Sequence, residues 1–153
     1  MTVTEFLDSS YTAFHACENA AKMLDEAGFI RVSLSDRIEP KPGDKYYFMK
    51  NDSALVAFRV GKHGGYGFNV IAGHTDSPSL HVKGNALLDS KEGKRVNVEE
   101  YGGLVMYSMV DIPLKIAGRA VYETENGLVA KTVVSDGTFN IPGQAIHQNR
   151  EVN

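Results

Sequence analysis

Residues 66–80 read YGFNVIAGHTDSPSL, and the reading of this stretch decides the rest. An apolar run, 68–72, ends at Gly73 and is followed at once by His74, Thr75, Asp76, Ser77 and Pro78. A short apolar run bounded by glycine and by a polar, proline-containing cluster predicts a buried strand that stops in an elbow. The elbow carries an imidazole and a carboxylate two positions apart. Two chemistries suit that pair. In one, Asp76 caps backbone N–H groups of a polar turn while His74 packs against its neighbours. In the other, His74 is a metal ligand and Asp76 the group that orients its ring. The residues alone leave both open.

Composition narrows the surroundings of this stretch. A chain of 153 residues is long enough for one domain that buries roughly two-thirds of its extended-chain surface. Hydrophobic residues make up 42% and charged residues 23%, the balance of a globular protein. The net charge of -3 is mild, and scattered Lys and Arg leave no basic patch, so no nucleic-acid partner is expected. No apolar run reaches the roughly 20 residues that span a bilayer, and the opening MTVTEFLDSS is too polar and acidic for a signal peptide. The one cysteine, Cys17, excludes an intramolecular disulfide and a cysteine-built zinc site, and fits a reducing cytoplasm.

In chain order, residues 3–27 predict one amphipathic helix. Val3, Phe6, Leu7, Phe14, Cys17, Ala21 and Leu24 recur at spacings of three and four. Thr2 with Glu5 is a capping-box pattern and Gly28 a natural stop. His15 lies off the stripe and is read as a boundary side chain; Cys17 lies on it and is read as an inert core residue. A short strand is expected at 29–34, a loop at 35–44, and a hairpin from strands 46–49 and 54–60 around the polar residues 50–53. The glycines around His63 lack a phosphate-loop spacing and read as a turn. After the elbow, 80–83 alternates as a strand, 84–94 reads as a loop or hairpin end, and 104–110 as a core strand or short helical turn. Residues 114–124 and 128–134 predict a second hairpin around Glu125-Asn126-Gly127. Ile146, His147 and Arg150 have the spacing of a helix that would begin there, so the chain reads as a fragment cut in mid-element or as one whose partner supplies the rest.

The motifs together resemble a known family. Gly73-His74-Thr75-Asp76-Ser77-Pro78 is similar to the metal-binding motif of the M18 aspartyl aminopeptidases. Tyr101-Gly102-Gly103 with Asp111 and residues 114–119, and then Ile141-Pro142-x-x-Ala145-Ile146-His147-x-x-Arg150, follow in the same order. Phe6, Leu7, Ser9-Ser10 and Phe14-His15 resemble the family's opening. Asp111-Ile112-Pro113-Leu114 departs from it, standing where the family carries Asp-Arg-Asp-Leu.

The resemblance implies an α/β fold: the start of a zinc-peptidase-like catalytic domain over 1–84, then part of a β-rich inserted dimerisation domain over 85–153. It implies that His74 is a ligand in a site of two Zn2+ ions about 3.5–4 Å apart. Asp76 would then be the carboxylate that holds the His74 ring. His147 would reach from the dimerisation domain into the active site of a neighbouring subunit. The expected function is that of a fragment of a dinuclear-metal aminopeptidase, which removes an N-terminal residue, an acidic one being a candidate, from peptide substrates. The expected partners are a peptide and a second copy of the chain, with no nucleic acid and no membrane. The remaining ligands and the general base fall downstream in the family, so the chain alone is expected to be inactive. The competing expectation is a non-catalytic oligomerisation or interaction module.

Overall fold

The computed structural model describes residues 1–63, 67–91, 93–145 and 147. The chain divides into two compact units, one made of Met1–Asp76 with Ala117–Val133, the other of Ser77–Ile116 with Val134–Asn153. The expected change of domain at 84–85 falls within a continuous strand of the second unit.

The first unit opens with α1 (Val3–Ser9) and α2 (Ala13–Glu26) in place of the single helix expected over 3–27. The capping box is present: Thr2 Oγ1 accepts from the Glu5 N–H at 3.2 Å, and the Thr2 N–H donates to Glu5 Oε2 at 2.7 Å. What interrupts the helix is hydroxyl chemistry. Ser9 Oγ donates back to the carbonyls of Glu5 and Phe6, the competition with the backbone ladder that serine offers in helices. Thr12 is then extended, and the amide of Asn19 donates to the hydroxyls of Ser9 and Ser10, pinning the joint against α2. At the other end Gly28 takes a φ of 76°. Its N–H bonds the Asp25 carbonyl and the Phe29 N–H bonds that of Leu24, the double bond of a Schellman stop.

Three strands follow, β1 (Ile30–Arg31), β2 (Lys45–Lys50) and β3 (Ala54–Arg59). β1 lies parallel to β2, which pairs antiparallel with β3. The strand expected over 29–34 is cut to two residues because Ser33 and Asp36 close a turn on each other. The β2–β3 hairpin stands as expected. Asn51 and Asp52 take φ values of 53° and 58°, the left-handed pair of a type I′ turn, which asparagine and aspartate tolerate. α2 packs on β2 and β3. Ala16, Cys17, Ala21 and Tyr47 are buried there, and the Tyr47 hydroxyl donates to Asp25 Oδ1 at 2.8 Å. Cys17 is an inert core thiol as read, its pKa raised by burial.

β6 (Ala117–Thr124) and β7 (Gly127–Val134) form the second expected hairpin. Positive φ falls on Gly127 alone in this turn, at 104°, as in a three-residue loop that ends in a glycine bulge. Within the first unit two side chains of the hairpin reach α2 and the β2–β3 turn. Arg119 donates to the Asn51 carbonyl at 3.0 Å and to Asp52 Oδ2 at 3.2 Å, with its guanidinium 4.6 Å from the Phe14 ring centre. Thr132 Oγ1 donates to Glu18 Oε2 at 2.9 Å.

The second unit carries β4 (Ser79–Ser90) and β5 (Gly93–Tyr101), paired antiparallel, and a short 3-10 turn, Met106–Met109. Of the two readings offered for 84–94, a loop or a hairpin end, the structure has the hairpin end, with strand on both sides of the turn at residue 91. Its polar residues pair across the ladder: Asn97 donates to Asn85 at 2.7 Å, beside an irregular stretch in which 83–86 oppose Asn97 alone. The helix expected from Ile146 and Arg150 lies outside the described residues, as do Tyr66 and two of the glycines after His63.

The apolar run is the largest departure from the sequence reading. Residues 67–73 lie in no strand, and Phe68, Val70 and Ile71 are 95%, 81% and 101% exposed. A strand of this composition is buried only between neighbouring strands that satisfy its backbone on both sides. Among the described residues none pairs with it. The chain as a whole presents 12433 Å2 of accessible surface, whereas two separate self-contained domains of the units' sizes would present roughly 9,000 Å2 in total.

Candidate metal centre

The elbow holds its two chemically active side chains together. His74 Nδ1 and Asp76 Oδ1 are 3.0 Å apart, and the His74 side chain is otherwise 92% exposed. An Nδ1–H that donates to the carboxylate leaves Nε2 with the lone pair. The result is an oriented, accessible nitrogen donor of the kind that divalent zinc takes. The alternative in which His74 packs among its neighbours does not hold, since the ring is in solvent.

The middle residue of the elbow faces the opposite way. Thr75 Oγ1 donates to the Ser53 carbonyl at 2.7 Å, and its side chain lies beside the buried Cys17 thiol on α2. Ser53 closes the type I′ turn that Arg119 grips. Sequence reasoning missed this tether: Thr75 and Ser53 are 22 positions apart, and no local pattern links them.

Among the described residues no three of His, Cys, Asp and Glu gather where they would hold an ion. The donor set present fits zinc as a single corner of a site. His15, the other histidine of the first unit near a partner, is spent elsewhere. Its Nδ1 is 2.8 Å from Thr12 Oγ1 and its ring meets Tyr11 edge-on, and burial pulls its pKa down. A cleft of about 330 Å3 in the same unit is lined by Phe14, Glu18, Arg31, Asp52, Arg119 and Thr132 among others, but not by His74.

In the second unit His147 is an exposed turn residue. The segment before it is held by Asp111, which takes a left-handed φ of 55°. The Asp111 N–H donates to the Ile141 carbonyl at 2.9 Å, and its Oδ1 accepts from the Gly143 N–H at 2.8 Å. A Cβ on Gly143 would overlap the Asp111 carboxylate, which accounts for glycine after Ile141-Pro142. His81, which was expected only to alternate along its strand, stacks on Tyr101 with ring centres 4.3 Å apart.

The profile of the aminopeptidase I zinc metalloprotease family, M18, matches residues 6–153. The chain is 38% identical over 155 residues to a probable M18 family aminopeptidase 2 of Clostridium novyi, with 97% of this chain and 36% of that protein covered. It is 36% identical over 152 residues to an aspartyl aminopeptidase of Dictyostelium discoideum, covering 97% and 31%. Among solved structures, the Ape4 and Nbr1 complex matches with a TM-score of 0.87 at 34% identity, covering 95% of this chain and 29% of that one. The mApe1 dodecamer of S. cerevisiae matches at a TM-score of 0.72 and 26% identity, covering 86% and 32%. The chain thus spans about a third of the length of the curated relatives it matches.

Proposed function

The chain belongs to the M18 family of aminopeptidase I zinc metalloproteases, and from that membership we propose that it forms part of an aminopeptidase active site, with His74 as a zinc ligand. The observation that carries the reading is the His74–Asp76 pair at 3.0 Å, with the ring exposed on its other side. His74 would bind through Nε2. Asp76 would hold the Nδ1 proton, which fixes the tautomer and raises the basicity of the donor nitrogen. When bound, zinc supplies Lewis-acid polarisation of the scissile carbonyl, and a pair of ions divides that task with the attacking oxygen. The rest of the ligand set would come from residues that the longer relatives possess and this chain does not include.

The substrate would be a peptide with a free N-terminus, and an acidic first residue is the candidate to try first because a relative is an aspartyl aminopeptidase. Residues 1–84 would belong to the catalytic domain and 85–153 to a dimerisation domain, with His147 completing the active site of a neighbouring copy. Assembly into a homo-oligomer is supported by the dodecameric structural relative. Among the described residues no helix is long and apolar enough to cross a membrane, and the cytoplasm is the compartment proposed. The uncovered run at 68–72 would be a strand whose neighbours correspond to the part of the longer relatives that this chain does not cover.

The test is hydrolysis of peptides bearing N-terminal Asp, Glu or Leu, by this chain co-expressed with a relative's remaining segment. Activity that His74→Ala abolishes supports the reading. A stable complex without activity would favour a non-catalytic assembly module instead.

A further inference from the structure

We infer that Thr75 is a positioning residue, whose hydroxyl ties the elbow carrying His74 and Asp76 to the β2–β3 turn. The inference rests on the proposal that His74 is a zinc ligand and extends it to what holds that ligand in place. Three observations converge. Residues 73–76 lie beyond the run proposed as a strand and in no helix or strand themselves, so ladder hydrogen bonds do not fix the backbone at His74 itself. Thr75 Oγ1 donates to the Ser53 carbonyl at 2.7 Å in a part-buried setting, the favoured length for a hydroxyl donor. The acceptor is itself held: Ser53 ends a type I′ turn whose Asn51 carbonyl and Asp52 carboxylate are both engaged by Arg119.

Thr75 sits between the two functional residues, so anchoring it sets the direction of both side chains. The chain bends at Thr75. With Thr75 turned inward to Ser53 and Cys17, His74 and Asp76 are turned outward together, which matches their mutual contact and the exposure of the ring. Threonine suits the task better than serine because its branched Cβ restricts χ1.

The experiment compares Thr75→Val, which keeps the shape and removes the hydroxyl, with Thr75→Ser, which keeps the hydroxyl. Both are made in the zinc-loaded protein that carries this sequence. Zinc affinity is read by competition with a chromogenic chelator, kcat and KM on a peptide, and thermal unfolding alongside. Thr75→Val is expected to weaken zinc binding by about tenfold or more, the loss seen when a group that orients a ligand is removed. It should lower kcat and leave KM within about twofold, and Thr75→Ser should restore both. Zinc affinity unchanged in Thr75→Val, or lost equally in Thr75→Ser, overturns the inference. His74→Ala separates the two layers: if it binds zinc undiminished, the ligand reading fails; if it loses zinc while Thr75→Val does not, the tether alone fails. The unchanged protein gives a readout that survives any folding defect of the variants. The Thr75 hydroxyl proton should be observable by NMR in slow exchange, and a proton averaged with water would contradict the bond to Ser53.

Discussion

Replacing Arg119 with alanine tests how the β6–β7 hairpin is held within the first unit, against α2 and the β2–β3 turn. Arg119 makes two charge-assisted hydrogen bonds and one contact over an aromatic face. The bond to the Asn51 carbonyl is a charged donor on a neutral acceptor, worth about 1.5 kcal/mol at the low end of its class. The pair with Asp52 is screened, since the Arg119 and Asp52 side chains are 31% and 55% exposed, and contributes about 0.5 kcal/mol. The Phe14 face adds about 0.5 kcal/mol at such an exposed site. Arg119→Ala should therefore destabilise by about 2.5 kcal/mol, measured by urea unfolding at 25 °C. Combining it with Asp52→Asn, which keeps a residue tolerant of positive φ, should give a coupling near 0.5 kcal/mol that shrinks in high salt. Arg119→Lys keeps the charge without the planar fork and should recover less than half of the loss. A loss below about 0.5 kcal/mol for Arg119→Ala would refute the view that this side chain fastens the hairpin.

Other outcomes follow from the same geometry. Gly143→Ala pushes a methyl into the Asp111 carboxylate and should cost about 1–3 kcal/mol, read by unfolding; adding Asp111→Gly should recover part of it by clearing the space. Acid should weaken the first unit in two stages. Burial holds the His15 pKa below its ordinary 6.5, so the unfolded chain takes up its proton first and stability falls as pH drops below 6.5. The Thr132 and Lys22 contacts hold the Glu18 pKa below its ordinary 4.5, so that contribution is present above 4.5 and is lost as pH falls through the lower folded value. Urea midpoints across about pH 3–8 should show both steps, and His15→Gln should remove the upper one. The uncovered run should drive self-association: Phe68→Ser with Ile71→Ser should shift sedimentation toward monomer, and unchanged sedimentation would show that this run is not the adhesive surface.

The features legible in the sequence were those decided within a few residues. Thr2 with Glu5, Gly28, the 50–53 turn and Gly127 each act through their own backbone neighbours, and each stands where local chemistry puts it. The His74–Asp76 contact was legible for the same reason, because two positions separate the pair. Features that depend on distant partners were not. The break between α1 and α2 needs Asn19 to reach Ser9 and Ser10. The length of β4 depends on Asn97 meeting Asn85. The burial expected for 68–72 requires flanking strands that the described residues do not supply. Thr75, Arg119 and Asp111 carried no signal of their roles, since each bonds to a segment far away in sequence.

The central claim is that His74 is a zinc ligand held by Asp76. The most direct measurement is zinc-edge anomalous diffraction from crystals of the protein that carries this sequence, grown with zinc. The account predicts an anomalous peak about 2.0–2.1 Å from His74 Nε2, with Asp76 still bonded to Nδ1. A zinc peak elsewhere with His74 Nε2 in solvent, or zinc on Nδ1 with Asp76 displaced, would contradict it.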